Sequence, residues 1–450
     1  MSADRTPKKN RLQAAREEYE AQSDTRAGNE ARAGNEARAG TEAHAELPLI
    51  DLVDGSFHRA GFRFPPAILQ REFERYLAGP GYRPVAAGAP AAREAVAAYY
   101  NGGSGDGDGS GGGATAVGPT AARTGAVRPD DIILTASSSE SYRLLFDQLC
   151  RPGDSVLLPC PGYPLFEHLA EHSRVRPEFY ELHPEDAWLP DPSALERVMA
   201  TRPRARAIVL ISPNNPSGAV IAAPRLEAIL AAAARHGLVV ILDEVFREFV
   251  SEAAPPGQQL ASAAEAATAP QPAAAMGAGA LLVRINGISK MFACPDIKLG
   301  WMVVEGGSAQ GVTRKELLQA LEVAADVYLS ASGPAQHLAP ALFAEGMGFV
   351  ASMRVELAQR RELLLQELSG LRGISYIAPA GGIHCILEIP GLSVDDEEFA
   401  VRAVREEGLY VHPGYLYGIH NRTALVLSFL SHPDQIREGM VRLRRVLRRL

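Results

Sequence analysis

A lysine in an unexpected position is the first residue of this sequence that could do chemistry. Lys290 follows the apolar run 281–283 within the segment Ile285–Trp301, which reads INGISKMFACPDIKLGW. The chain has 5 lysines against 40 arginines, and Lys290 and Lys298 both lie in this segment. A primary amine can form a Schiff base with an aldehyde, which a guanidinium cannot, and burial lowers the pKa of such an amine toward its nucleophilic form. An arbitrary lysine is a surface residue, so the assignment depends on the other motifs.

The predicted elements place several polar loops where they could meet. From Asp131 onward, continuous apolar strands alternate with helices, which indicates a mostly parallel sheet covered on both faces. In such a sheet the loops at the carboxyl ends of the strands converge on one crevice. The loops that follow predicted strands are TASSSE at 135–140, PGYP at 161–164, SPNNPSG at 212–218 and the strand end at Asp243.

One of these loops could bind a phosphate group, and another could stack on a flat ring. Ser137, Ser138 and Ser139 stand at a predicted helix N-terminus, where free N–H groups and hydroxyls suit a phosphate, although a simple helix cap is an equal alternative. Tyr163 lies on a rigid turn, where its ring could stack on a flat heterocycle or pack beneath the loop.

The other two loops offer polar groups to a ring. Asn215 lies in a turn sequence, from which its amide could donate to a ring oxygen. Asp243 ends an apolar strand, which is a costly place for an unpaired carboxylate, so it needs either a structural partner or a cation such as a protonated pyridine nitrogen. Together with Lys290, these groups describe a site for pyridoxal 5'-phosphate (PLP).

The motifs TASSSES, PGYP, SPNNPSG, DEVF and SKMFACPDIKLGW, in this order, resemble those of the class I/II aminotransferases of PLP fold type I. The resemblance covers about residues 48–450. It implies an α/β fold with a mostly parallel sheet in a large PLP domain, a smaller α+β domain, and a homodimer in which each active site is completed by the neighbouring subunit.

The resemblance also implies roles for individual residues. Lys290 would form the Schiff base and move the proton, Asp243 would pair with the pyridine nitrogen, and Asn215 would bind the ring hydroxyl. Tyr163 would lie against the ring face, and Tyr82 would reach the partner subunit's phosphate. The phosphate of the same subunit would be held by the serines of the TASSSE loop, namely Ser137, Ser138 and Ser139.

Four positions depart from the family pattern. Lys298 stands where the family usually has an arginine, so the bidentate fork on the phosphate is lost. Gly287 replaces a phosphate-binding serine, and Phe246 replaces a tyrosine that binds the ring oxygen, which would shift the pKa of the Schiff base upward. Val426 stands where most members have the arginine that grips the substrate carboxylate, a role that Arg422 or another arginine would have to fill.

Composition excludes several classes of protein. The net charge of -8 and pI of about 5.8 argue against a nucleic-acid partner. No apolar run approaches the roughly 20 residues of a membrane span, and the N-terminal sequence has no signal-peptide pattern, so we expect a cytoplasmic protein. The 4 cysteines have neither paired spacing nor a CxxC motif, so we expect no metal site.

The predicted domain division follows composition and the resemblance. Residues 1–47 contain the near-repeat ARAGNE and are expected to be a disordered tail. Residues 48–85 would begin the small domain, 86–325 would form the large PLP domain, and 326–450 would complete the small domain. Two Gly-rich or Ala/Pro-rich stretches, 101–118 and 253–280, are expected to be flexible insertions in the large domain.

The function expected from this resemblance is transfer of an amino group between an amino acid and a 2-oxo acid. Two alternatives remain. A PLP-dependent β-lyase or decarboxylase would use the same cofactor with a different outcome, and a non-catalytic PLP sensor would retain the fold. The N-terminal segment lacks a helix-turn-helix pattern and the positive charge of a DNA-binding module, which disfavours the sensor.

Overall fold

The structure is a computed structural model that describes residues 11–30, 48–79, 81, 83–102, 126–255, 258 and 279–450, with the backbone alone for 22–30. The helices are α1 (Arg11–Glu30), α2 (Pro66–Leu77), α3 (Pro90–Tyr100), α4 (Ser138–Leu149), α5 (Leu165–His172), α6 (Pro192–Ala200), α7 (Ala223–Arg235), α8 (Ile288–Met291), α9 (Arg314–Tyr328), α10 (Gly333–Glu345), α11 (Met347–Ser369), α12 (Asp396–Glu407) and α13 (Pro433–Arg449).

The strands are β1 (Ile50–Asp51), β2 (Ile132–Thr135), β3 (Ser155–Cys160), β4 (Arg176–Glu181), β5 (Ala205–Ile211), β6 (Val239–Asp243), β7 (Leu281–Gly287), β8 (Gly300–Gly306), β9 (Ser308–Ala309), β10 (Val312–Thr313), β11 (Ser375–Tyr376), β12 (His384–Glu388), β13 (Leu409–Tyr410), β14 (His412–Pro413) and β15 (Ala424–Ser428). The chain forms two compact units. The large unit comprises Phe57–Ala358 and Pro379–Ile383, and the small unit comprises Met1–Ser56, Gln359–Ala378 and His384–Leu450.

The large unit is built on a seven-stranded sheet in the order β2-β8-β7-β6-β5-β3-β4. The pairs from β7 through β4 are parallel, and only β8 runs antiparallel to its neighbours β7 and β2. Almost every residue of its central strands β5, β6 and β7 is buried, because helices cover both faces of the sheet. Most of these residues are apolar, with the buried Arg284 and Asn286 of β7 among the exceptions. The prediction of an α/β fold with a mostly parallel sheet is confirmed.

The division into units differs from the predicted domain boundaries at two places. Residues 57–85 and 326–358 belong to the large unit, although both were predicted to lie in the small domain. The reason is packing: one apolar cluster joins Phe64 and the buried faces of α3 and α10 to Trp301 and its neighbours on β2 and β8. Both ranges are next to the small domain in the sequence, but the sequence does not show which surface their helices pack against.

The small unit contains an antiparallel sheet in the order β11-β12-β15-β14. Helices α12 and α13 contribute apolar faces to its core, and the spacing of Ile436, Met440 and Leu443 places these side chains on one stripe of α13. The remaining strands of the unit, β1 and β13, form a parallel pair.

The prediction of disorder for residues 1–47 is wrong for the helix α1. Leu12 and Ala15 are fully buried in the core of the small unit, and a guanidinium N–H of Arg16 donates to Asp51 at 2.8 Å. Among the described side chains of α1, Leu12 and Ala15 are the fully buried ones, and two such residues do not show in the composition of the whole segment. Residues 1–10 and 31–47 lie outside the described residues, as do 103–118 and most of the predicted insertion 253–280.

Candidate active site

The large unit brings the predicted functional loops to one edge of its sheet. They follow the carboxyl ends of β2, β3, β5, β6 and β7. Strands β2 and β7 are each antiparallel to β8, so they run in the same direction as each other and as the parallel strands. Loops from five strands therefore leave the sheet at the same edge, as the sequence predicted.

Lys290 lies in the short helix α8, directly after β7. Its Nζ atom is 5.6 Å from the ring centroid of Phe57 and 5.9 Å from that of Phe246. The backbone before the lysine is held closely, since Ile288 N–H donates to the Leu299 carbonyl at 2.9 Å and a Cβ on Gly287 would come within 2.7 Å of that oxygen. The half-buried lysine is thus presented by a short, closely held helix, with two aromatic rings near its amine.

Asp243 ends strand β6 and is only 4% exposed. Its Oδ1 accepts from the Val245 N–H at 3.0 Å, and its Oδ2 accepts from the Tyr142 hydroxyl at 2.9 Å. Burial raises the pKa of the Asp243 carboxyl to about 6, although these two donors act in the opposite direction. A buried carboxylate with remaining acceptor capacity suits a cationic nitrogen.

The two asparagines after β5 have different roles. One holds the turn together, and the other has an amide oxygen that lacks a hydrogen-bond partner among the described residues. Asn214 Oδ1 accepts from the Ser217 hydroxyl at 2.8 Å and from the Ser217 N–H, so it closes the turn. The Oδ1 of Asn215 is buried and has no hydrogen-bond partner among the residues that the structure describes. A buried amide with unmet hydrogen-bonding capacity is costly unless a ligand satisfies it.

The serine loop caps helix α4. Ser137 is the N-cap residue, and its Oγ accepts from the Glu140 N–H at 3.3 Å. The loop backbone touches the start of β8, because a Cβ on Gly300 would lie 2.7 Å from the carbonyl carbon of Ser137 and 3.0 Å from the N of Ser138. The loop is therefore a fixed helix N-terminus, which is the backbone arrangement that favours an anion.

Glu140 adds a carboxylate to this loop. Its Oε2 accepts from the Ala136 N–H at 2.6 Å, and its Oε1 accepts from the Ser330 hydroxyl. Both oxygens are therefore hydrogen-bonded by the protein. A phosphate at the loop would need a compensating cation, and Lys298 is the lysine in the segment that precedes Gly300.

The remaining predicted residues have mixed outcomes. Tyr163 is 43% exposed, and its ring contacts that of Phe166 edge-on at 6.0 Å, so part of it is open to a ligand. Lys298 is exposed and has a φ of 57°, so its contact with a phosphate stays a prediction. Tyr82 lies outside the described residues, and its predicted role is not tested.

Tyr142 is the residue of the site that sequence reasoning missed. It lies on the same face of α4 as Leu145 and Phe146, and all three are buried, so hydropathy alone assigns it to the core. Only the tertiary structure places its hydroxyl on Asp243, at the end of β6. The sequence did offer one signal for it: Tyr142 is a polar residue on the apolar face of a helix that starts at the candidate phosphate loop.

Val426, which stands where most family members have the carboxylate-binding arginine, lies in the small unit. Val426 is fully buried on β15, opposite Ile386 on one side and His412 on the other. Burial lowers the pKa of His412 to about 4, so this imidazole carries no charge at neutral pH. Arg422 donates to Glu388 at 2.8 Å, and this ion pair engages the arginine that we considered as a substitute.

Other kinds of site are disfavoured by what the structure describes. Among the described residues, no group of three or more His, Cys, Asp and Glu side chains could hold a metal ion. In the same part of the chain, no helix has both the length and the apolar character needed to cross a membrane.

The fold and these side chains together define a class: an α/β protein with a lysine and a buried carboxylate at the carboxyl edge of a mostly parallel sheet, as in PLP-dependent enzymes of fold type I. Comparison with known proteins agrees. The alanine aminotransferase from Pyrococcus furiosus has a similar structure, with a TM-score of 0.78 over 100% of both chains. At 21% identity this likeness concerns the fold alone.

Sequence comparison identifies the family. The model of the family "Aminotransferase class I and II" matches residues 82–443, which is more than half of the chain. This protein therefore belongs to the class I and II aminotransferase family, whose members depend on PLP.

Curated relatives are similar at modest identity. An S-alkyl-thiohydroximate lyase of Arabidopsis thaliana is 27% identical over 68% of this chain and 63% of the relative. Nicotianamine aminotransferase 1 of Oryza sativa subsp. japonica is 27% identical over 70% of this chain and 61% of the relative. The match thus spans less than two thirds of the length of these two relatives.

Proposed function

We propose that this protein is an aminotransferase that moves an amino group between an amino acid and a 2-oxo acid with PLP as its resident cofactor. The observation that carries the proposal is the placement of Lys290 on a rigid turn at the sheet edge that also bears the buried carboxylate of Asp243. Family membership supports the same activity.

The side chains at this edge fit PLP in their chemistry. The side chain of Asn215, whose buried amide oxygen has no hydrogen-bond partner among the described residues, would bind the ring hydroxyl, and the buried carboxylate of Asp243 would hold a proton at the ring nitrogen. Tyr163 has an exposed ring that would cover one face of the cofactor. The phosphate would lie at the N-terminus of α4, held by the backbone and hydroxyls of the serine loop (Ser137, Ser138 and Ser139), with Lys298 as the cation.

The chemistry is divided between cofactor and protein. When bound, PLP supplies an aldehyde that accepts the amino group and an electron-poor ring that stabilises negative charge on the substrate carbon. Lys290 would first hold the aldehyde covalently and then, once displaced by the substrate amine, move the proton from the substrate Cα to the cofactor carbon C4'. The ring centroids of Phe57 and Phe246 lie 5.6 Å and 5.9 Å from its amine.

The substrate is left open by the residue at position 426. An ordinary α-amino acid clamp would need an arginine there, and the buried Val426 supplies no charge. We therefore assign the reaction to amino-group transfer and leave the identity of donor and acceptor to experiment. A cytoplasmic location remains a prediction from the sequence.

The test uses the Lys290→Ala variant and a matched control, Lys315→Ala, which removes an exposed lysine of α9. Each purified protein is supplied with PLP, and its visible absorption is followed while amino acids are added one at a time, then a 2-oxo acid. We expect wild type and Lys315→Ala to lose and regain the cofactor band with one donor and acceptor pair, and Lys290→Ala to do neither. Normal turnover in Lys290→Ala would refute the proposal.

A PLP-dependent lyase is the second candidate, because one relative at 27% identity is named as a lyase. Such an enzyme would release a product from an amino acid without any 2-oxo acid. Product formation that continues over many turnovers with no acceptor present would favour the lyase, whereas a single turnover that stops until an acceptor is added would favour the aminotransferase.

We also propose a homodimer, on the basis of an uncovered apolar surface on the large unit. Leu77 at the end of α2 is 80% exposed, Val327 near the end of α9 is 73% exposed, and Leu329 lines a cavity of about 510 Å³ between these helices. Large exposed apolar side chains on two helices that border the same cavity favour an interface there. Light scattering on wild type and on Val327→Asp should give the mass of two chains and of one, respectively. A monomeric wild type would contradict the proposal.

A further inference from the structure

Helix α4 connects two parts of the proposed cofactor site. It begins at the serine loop, with Ser137 as its N-cap, and five residues later it carries Tyr142 to the carboxylate of Asp243. The Tyr142 hydroxyl donates to Oδ2 at 2.9 Å. Helix α4 therefore links the serine loop, which would bind the phosphate, to Asp243, which would bind the ring nitrogen.

The ring of Tyr142 has little freedom to move away from Asp243. The side chain is 1% exposed and lies between Phe146, at 5.8 Å between ring centroids, and Phe166, at 4.9 Å. Phe166 also contacts Tyr163 edge-on at 6.0 Å. The same aromatic group thus supports the residue proposed to cover the cofactor face and the residue that contacts Asp243.

The hydrogen bond favours the charged form of Asp243. Burial raises the pKa of this carboxyl to about 6, the neighbouring Glu244 also raises it, and the N–H of Val245 and the hydroxyl of Tyr142 lower it. Burial and the nearby Asp243 charge also raise the pKa of Tyr142 well above its ordinary value, so the phenol remains a donor at neutral pH. Without that donor, the carboxyl would be partly neutral near pH 7.

We propose that Tyr142 is a positioning residue that holds Asp243 charged and oriented toward the ring nitrogen of the cofactor, an inference that rests on the proposed function. The charge of Asp243 is what would keep a proton on that nitrogen. Tyr142 acts only through Asp243.

The test replaces Tyr142 by phenylalanine, which removes one oxygen atom and keeps the ring. A hydrogen bond to a charged group is large enough to move the carboxyl pKa upward by roughly one pH unit when lost. The matched control is Tyr180→Phe, which removes another buried hydroxyl of the large unit, one that donates to the Val209 carbonyl at 2.7 Å.

Two readouts do not depend on turnover. The first is the ¹⁵N resonance of PLP labelled at the ring nitrogen, bound to each protein at neutral pH. The second is the dissociation constant of PLP from each apoprotein. For Tyr142→Phe we expect the resonance to move toward the unprotonated position and the dissociation constant to rise about tenfold, since a pair of neutral groups binds more weakly than a charged pair. Tyr180→Phe should match wild type in both.

A graded variant guards against misfolding of Tyr142→Phe. Tyr142→3-fluorotyrosine keeps the hydroxyl and makes it a stronger donor, so the ring nitrogen resonance should move in the opposite direction, toward the protonated position. An unchanged resonance in both Tyr142 variants, with PLP bound, would overturn this inference and leave the proposed function standing. Failure of wild type to bind PLP at all would overturn the proposed function, and this inference with it.

Discussion

Gly300 is the position where one added carbon should damage the proposed cofactor site most directly. It begins β8, where it pairs with Thr135 on one side and Gly287 on the other. A Cβ at this position would lie 2.7 Å from the carbonyl carbon of Ser137, 2.9 Å from Thr135 Oγ1 and 3.0 Å from the N of Ser138. Two of these atoms are backbone atoms of the serine loop, so the loop itself must move.

The cost of Gly300→Ala follows from this crowding. Overpacking of a well-packed interior typically costs about 1–3 kcal/mol, and here the strain falls on the loop that would hold the phosphate. We expect the free energy of unfolding of the apoprotein to fall by about 1–3 kcal/mol, and the PLP dissociation constant to rise at least about tenfold, which corresponds to about 1.4 kcal/mol.

Urea unfolding and a fluorescence titration of PLP measure the two effects. Gly348→Ala is the control, because a Cβ at Gly348, on an exposed face of α11, has nothing within 4 Å. A helical Gly→Ala change of this kind should be neutral or stabilising by up to about 1 kcal/mol. A Gly300→Ala protein with the stability and PLP affinity of wild type would show that the loop is not held in the described position.

Two further predictions concern the small unit. The pKa of His412 is lowered to about 4, so the unfolded chain takes up its proton first as pH falls, and stability should drop by about 2 kcal/mol between pH 7 and pH 5 from this group alone. His412→Gln should remove that part of the pH dependence in urea unfolding, whereas replacement of the exposed His420 should leave it unchanged. Leu12 is fully buried, so Leu12→Ala should cost about 2–5 kcal/mol of stability, against little for the exposed Gln13→Ala. Equal stability of the two variants would mean that α1 does not dock as described.

The strands at the centre of the large unit were predictable because buried strands are recognisable in the sequence as short apolar runs. The run 206–212 was predicted as a strand and is β5, and the run 238–244 is β6. Both have apolar centres because both faces of the sheet are covered, and the local sequence shows this directly. The loops that follow them needed only the rule that carboxyl ends of parallel strands meet at one edge.

The domain boundaries and helix α1 were not predictable in the same way. Residues 57–85 join the large unit because Phe64 and its neighbours bury their side chains against β2 and β8, which are distant in sequence. Among the described side chains of α1, only Leu12 and Ala15 are fully buried. The polar, repeat-rich sequence around them hides these two residues from any prediction based on average composition. Long-range packing decided both.

The sequence by itself determined the α/β class, the family and the candidates Lys290, Asp243 and Asn215, because strand patterns and loop motifs are local. Only the tertiary structure decided which polar groups those residues meet. It gave Asp243 the hydroxyl of Tyr142, left the amide oxygen of Asn215 without a hydrogen-bond partner among the described residues, and placed the amine of Lys290 near the rings of Phe57 and Phe246. The physical reason is that burial and hydrogen bonding depend on side chains from elements that are far apart in the sequence, and a local sequence pattern does not show which of them come into contact.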